Sequence, residues 1–235
     1  MCRLLGIINF DFNTHKGLLD EFFGLAETGK ILPGDTPGHK DGWGIGFYDK
    51  GIAKTVKSGL SAIEEKTRIF ETLEKLDKTT VLIAHLRKSA WKDTSSERHA
   101  HPFMFNSLIF AHNGTIKDFQ KNISILDKRF VPAGDSKDTE VFFRHILQNS
   151  TGGVKPGILK SVEYVRKNNI YTALNLLLSD GKSLYALRDH AGKAGFAEYY
   201  TLFTSGNHII SSEVLGPGRG WKALNTDELV TLAYS

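Results

Sequence analysis

The chain has 235 residues, 40% hydrophobic and 24% charged, ordinary values for a globular protein and enough length for one large domain. The formal charge is +4, from 30 basic and 26 acidic residues. The lysines are scattered, acidic residues lie among several of them, and no dense basic tract marks a nucleic-acid surface. A single cysteine excludes an internal disulfide framework and fits a reducing compartment. With no signal pattern and no apolar run near the ~20 residues that span a bilayer, a cytoplasmic protein without nucleic-acid or membrane partners is expected.

Met1-Cys2-Arg3-Leu4-Leu5-Gly6 opens the chain. An initiator methionine is normally removed before a small residue, which leaves Cys2 with a thiol and a free α-amine. The thiol is a strong nucleophile, and an α-amine titrates near pH ~7.7–8.0, about where a general base is needed. The competing reading of Cys2 is a small buried hydrophobe. Residues 3–10 then read as a buried strand, and Leu18, Leu19, Phe22, Phe23, Leu25 and Ala26 as an amphipathic helix ending near Thr28-Gly29. Residues 31–42 are loop-like. Two strands over 44–48 and 52–56 are joined by the hairpin signal Asp49-Lys50-Gly51.

A second helix is predicted over 61–76, followed by buried strands at 81–86 and 107–112. Between those strands, 88–100 is polar and irregular, and suits a substrate-covering loop. Helical spacing recurs over 138–148 and again from Pro156. Strands are expected at 171–178, 183–188, 200–204, 208–212 and 228–233, the first two joined at Asp180-Gly181. Blocks of strands and helices with hairpins favour stacked antiparallel sheets with helices outside over a doubly wound parallel sheet.

Four further segments combine polar chemistry with strand ends or turns. Arg87, closing Ala84-His85-Leu86-Arg87, either forks onto a carboxylate or is a surface arginine. Asn113-Gly114 either offers two oxyanion donors or is an ordinary tight turn. Asp138, in Gly134-Asp135-Ser136-Lys137-Asp138-Thr139-Glu140, either binds an ammonium group or belongs to a helix cap, and taken alone the cap is favoured. The alternate glycines of His39-Lys40-Asp41-Gly42-Trp43-Gly44-Ile45-Gly46 match no nucleotide fingerprint and suggest close backbone packing. His99, His101, His112 and Glu97 match no closed zinc spacing, so neither a metal nor a cofactor is expected.

In order along the chain, these motifs resemble the class II glutamine amidotransferase domain of the N-terminal nucleophile hydrolases, most closely its stand-alone YafJ-like subgroup. The chain is also similar to the γ-glutamyl hydrolase of ergothioneine synthesis, which shares the Met-Cys-Arg opening. The resemblance implies an α+β, four-layer αββα sandwich of two antiparallel sheets, and residues 2–235 as a single domain. It implies that Cys2 attacks the glutamine amide, assisted by its own α-amine, while Asn113 and Gly114 hold the oxyanion. Arg87 would bind the α-carboxylate and Asp138 the α-ammonium. Where fused relatives follow the arginine with Trp-Ala-Thr-His-Gly, this chain has Lys88-Ser89-Ala90-Trp91-Lys92, so Ser89 and Trp91 receive no role. The expected ligand is glutamine or another γ-glutamyl compound, with a separate synthase subunit as ammonia acceptor. A γ-glutamyl hydrolase acting on a peptide or modified amine is the alternative enzyme, and a ligand sensor or scaffold the non-enzymatic one.

Overall fold

The computed structural model describes residues 2–192, 195–216 and 218–234. β1 (Arg3–Asp11) runs straight into α1 (Phe12–Thr28), which Asp11 caps by accepting from Thr14 N–H at 2.9 Å. β2 (Trp43–Asp49) and β3 (Ile52–Ser58) form the expected hairpin, with Lys50 and Gly51 both at positive φ as a tight turn requires. α2 (Lys66–Leu76) starts later than predicted. Ser61 accounts for the delay: its hydroxyl accepts from Ile63 N–H and its carbonyl from Glu64 and Glu65 N–H, closing a turn ahead of the helix.

β4 (Lys78–Leu86), β5 (Phe103–Phe105) and β6 (Leu108–Asn113) follow, β5 being too short to reveal a period-2 pattern. α3 (Asp138–Asn149) starts where expected, whereas α4 (Val154–Asn168) begins ahead of Pro156. Pro156 still lies in the first turn, where its missing N–H has no helical partner to lose. β7 (Asn175–Ser179) is shorter than predicted, because Tyr171 and Ala173 make only isolated bridges. β8 (Ser183–Arg188), α5 (Phe196–Tyr199), β9 (Phe203–Ser205), β10 (Ile209–Ser211), β11 (Lys222–Ala223) and β12 (Glu228–Ala233) complete the elements, with α5 and β11 too brief for periodicity to show.

The strands form two antiparallel sheets, ordered β11-β9-β10-β1-β4-β2-β3 and β12-β8-β7-β6-β5. Alternation along β1 sends Leu5 and Ile7 toward the α1 and α2 side, and Leu4 and Ile8 toward the second sheet. On β6, Phe110 packs among α3 and α4 residues, while Ile109 and Ala111 face the first sheet. The result is the α+β, αββα layering implied by the resemblance. Burial of each large aliphatic side chain in the middle layer contributes about 1.5–3 kcal/mol.

The inner faces come closest at glycines. A Cβ on Gly46 would stand 2.6 Å from Ile109 Cγ2, and one on Gly44 would collide with the His101 carbonyl oxygen. The alternate glycines of β2 are packing residues. Gly44→Ala is therefore expected to destabilise the fold by about 1–3 kcal/mol; a urea unfolding midpoint equal to that of the parent chain would refute this.

Candidate active site

β1 and β4 are antiparallel neighbours with Arg3 opposite Leu86, so the start of one strand lies beside the end of the other. This register sets Cys2 near Arg87. The second sheet contributes Asn113, the last residue of β6, and α3 contributes Asp138, its first residue. Cys2, Arg87, Trp91, His101, Gly114 and Asp138 line one cavity. Met1, on whose removal the expected chemistry depends, lies outside the described residues.

The Cys2 nitrogen donates to Asn113 Oδ1 at 3.1 Å, across the two sheets. That contact sets the amide orientation and leaves Asn113 Nδ2 buried with no hydrogen-bond partner among the described residues. Asn113 and Gly114 do not form the left-handed Asn-Gly turn that the dipeptide suggests. Asn113 is a strand residue opposite Asn175, and neither residue has positive φ. Gly114 is required for space, because a Cβ there would overlap the Ala173 carbonyl. Cys2 Sγ lies 3.6 Å from the Lys88 carbonyl oxygen. Burial pushes the thiol above its ordinary pKa, while the Arg87 and Arg3 guanidiniums oppose that rise.

Arg87 is buried, not a surface residue. Its Nη1 donates to the Thr94 carbonyl at 2.8 Å, and its Nη2 to Thr94 Oγ1 at 2.8 Å and Ser89 Oγ at 3.0 Å. Asp138 is not the helix cap: the cap position is Lys137, without a side-chain bond. The Asp138 carboxylate instead accepts from Trp91 Nε1 at 2.9 Å and Ile116 N–H at 2.8 Å. Burial raises its pKa, and those two donors work against the rise. Ser89, Trp91 and Thr94 thus contact the site from the stretch expected to be a substrate-covering loop, in which Ser89 and Trp91 had no individual role. The one available signal was a tryptophan isolated in a polar, irregular stretch.

Residues 1–197 match the family described as class II glutamine amidotransferases. The chain belongs to that family. MJ1515 of Methanocaldococcus jannaschii, an uncharacterised protein, is 29% identical over 202 residues, covering 82% of this chain and 52% of MJ1515. The amidotransferase chain thus spans about half the length of that relative. YafJ of Escherichia coli K12 is 28% identical over 204 residues, 79% of this chain and 72% of YafJ. The solved structure of a glutamine aminotransferase class-II domain protein from Silicibacter pomeroyi superposes with a TM-score of 0.64 at 15% identity, over 99% of this chain and 95% of that one. This last likeness concerns the fold. The match assigns the chain a class II glutamine amidotransferase domain.

Around its cavity the amidotransferase holds several histidines. The His85 and His101 rings lie tilted against each other with centroids 4.2 Å apart, and His112 contacts Thr139 Oγ1 and the Ala173 carbonyl. Among the described residues, no three His, Cys, Asp or Glu side chains gather as a metal site needs, and no helix is long and apolar enough to cross a membrane. Burial depresses the pKa of His85 and His101 well below the usual value and pushes His112 down to about 4. These rings are therefore neutral near pH 7.

In the unfolded chain the same imidazoles protonate near pH ~6.5. Between that pH and about 4 the unfolded amidotransferase binds more protons than the folded one, so stability falls as the pH drops. His112 alone contributes about 3 kcal/mol of this loss by pH 4. Urea midpoints measured from pH 7 to 4.5 should decline steadily. A flat profile would show that the rings are not held neutral.

Proposed function

We propose that the enzyme hydrolyses the side-chain amide of glutamine through a thioester on Cys2, after removal of Met1. The observation that carries this reading is the Asn113 amide, whose Oδ1 takes the Cys2 nitrogen while Nδ2 is buried and has no partner among the described residues. A buried donor left open costs about 1–3 kcal/mol. An oxyanion forming on the carbon that Cys2 attacks would supply the missing acceptor. The three apolar layers, which draw residues from β1 through β12, support treating 2–235 as one domain.

In the proposed reaction, Cys2 Sγ bonds to the γ-carbonyl carbon and the thiol proton passes to the α-amine. Burial raises the thiol pKa, so a base on the same residue is needed to generate the thiolate. The carbonyl oxygen becomes an oxyanion held by Asn113 Nδ2 and Gly114 N–H. Collapse breaks the carbon–nitrogen bond, and the α-ammonium returns its proton to the departing nitrogen, which leaves as ammonia. Water then attacks the thioester carbon with the amine as base, and glutamate departs as Cys2 regains its proton. Arg87 and Asp138 recognise the opposite charges on the substrate α-carbon. The ammonia is available to a separate synthase subunit.

Intact mass measured before and after 6-diazo-5-oxo-L-norleucine should show loss of Met1 and one adduct, on Cys2. Met1 retained in a fully active sample would refute the free-amine mechanism. Cys2→Ala should stay folded and release no ammonia from glutamine, and turnover equal to the parent would sink the nucleophile assignment. Asn113→Ala should lower kcat by about 10²–10³, measured as ammonia release; a kcat within a few-fold of the parent would remove Asn113 from the oxyanion site.

A further inference from the structure

Arg3, the residue that follows Cys2, is a fully buried cation. Strand alternation places its side chain on the α1 side of the first sheet, with Leu5 and Ile7. Three segments close on it there. Its Nε meets Glu213 Oε1 at 2.7 Å, two residues past β10, and lies 3.3 Å from His39 Nε2. Its Nη2 donates to the carbonyl of Lys30, two residues past α1. Its Cζ stands 4.3 Å from the ring centroid of Tyr199, the last residue of α5. Glu213 Oε1 also accepts from Lys30 N–H at 2.7 Å, so its charge is shared, and Arg3 Nη1 is sealed without a partner among the described residues.

A guanidinium stays charged at every working pH, and burying one is costly even when it is paired. Apolar packing alone would fix the start of β1, as Leu5 and Ile7 do further along the same face. What Arg3 adds is its charge, and that charge is felt at Cys2, where it opposes the rise of the thiol pKa. Once Met1 is removed, the α-amine sits on the same residue. A neighbouring cation destabilises its ammonium form and favours the free amine. Other elements also face Cys2. Arg87 does so from the end of β4, and Lys137 and Asp138 line its cavity from the start of α3. His99 and His101 share that cavity, and burial keeps both neutral near pH 7. Tyr199 and Tyr200, close to Asp35, approach from α5 as phenols that burial holds neutral. Lys88 Nζ turns away, to Thr36 and Gly38.

We propose that Arg3 is a positioning residue for the reaction, acting through the Cys2 α-amine: its buried cation, partly balanced by Glu213, keeps that amine in the unprotonated form that serves as base. The proposal rests on the glutamine reading above. The step it assists is the first proton transfer. The sulfur–hydrogen bond breaks, the proton joins the amine lone pair, and the electron pair left on sulfur attacks the amide carbon. An amine already protonated cannot take that proton.

The single cysteine makes the test direct, because nitrogen-15 cysteine labels one nitrogen, the α-amine of the processed protein. Its chemical shift against pH titrates the amine, and the acid limb of kcat/KM for ammonia release reports the same group in turnover. Arg3→Met keeps the length of the side chain and removes the charge. It should move both titrations upward by about one pH unit. Glu213→Gln leaves the cation unbalanced and should move them downward by less. Arg3→Met combined with Glu213→Gln removes both charges, and with them the unpaired buried carboxylate that destabilises Arg3→Met alone. This double variant should titrate between the parent and Arg3→Met. A titration unmoved or lowered in Arg3→Met, or in the folded double variant, overturns the proposal and leaves Arg3 a packing residue. A processed parent that releases no ammonia from glutamine overturns the glutamine reading instead, while the nitrogen titration, which needs no turnover, still judges Arg3.

Discussion

One hydrogen bond joins the two sheets at the candidate site: the Cys2 nitrogen to Asn113 Oδ1, 3.1 Å, linking the start of β1 in one sheet to the end of β6 in the other. It forms only if the sheets approach closely and in register. The middle layer supplies that condition, with Leu4, Ile8, Ile83, Ile109, Ala111 and Leu177 packed between the sheets and glycine where a side chain would hold them apart. Because the bond takes Oδ1, it also decides which way the Asn113 amide points. The open Nδ2 follows from the packing of two sheets and not from anything local to Asn113.

The same packing sets the electrostatics. Cys2, Arg87, Asp138, His85, His101 and His112 are all buried at this end of the sandwich. Burial disfavours the charged form of each titratable group, raising the thiol and the carboxyl and lowering the imidazoles. Neutral histidines add no charge beside Arg87. The guanidinium donates to carbonyl and hydroxyl acceptors of the Ser89 side chain, Thr94 and the Asp41 backbone, and the Asp41 and Asp138 carboxylates favour its charge.

Much of the fold was legible because alternation and helical spacing survive in long, well-buried elements. β1, β4, β6, α1 and α3 all present such faces. The misjudged places have local causes. Ser61 diverts the start of α2 into a turn, and Tyr171 sits in an isolated bridge ahead of β7. β5, β11 and α5 are shorter than any period that could announce them. In the site, Cys2, Arg87, Asn113, Gly114 and Asp138 stand out because residues of those types sit at strand ends or a helix start in a recognisable order. Ser89, Trp91 and Thr94 do not, because hydroxyls and an indole in a polar loop follow no spacing rule.

By itself, the amino-acid sequence offered the candidate site residues and the apolar faces of the long strands and helices, and the order of its motifs carried the resemblance to the family and the layering that resemblance implies. Residue chemistry and periodicities of two and 3.6 are written along the chain and mark the residues and faces. Only the tertiary structure decided what each group touches. It gave Asn113 its orientation, set the Asp138 carboxylate against Trp91 rather than on a helix cap, and brought residues 88–95 across the pocket. Those outcomes depend on distances between segments far apart in sequence. Such distances are fixed by how the sheets pack and the loops close, not by local preference.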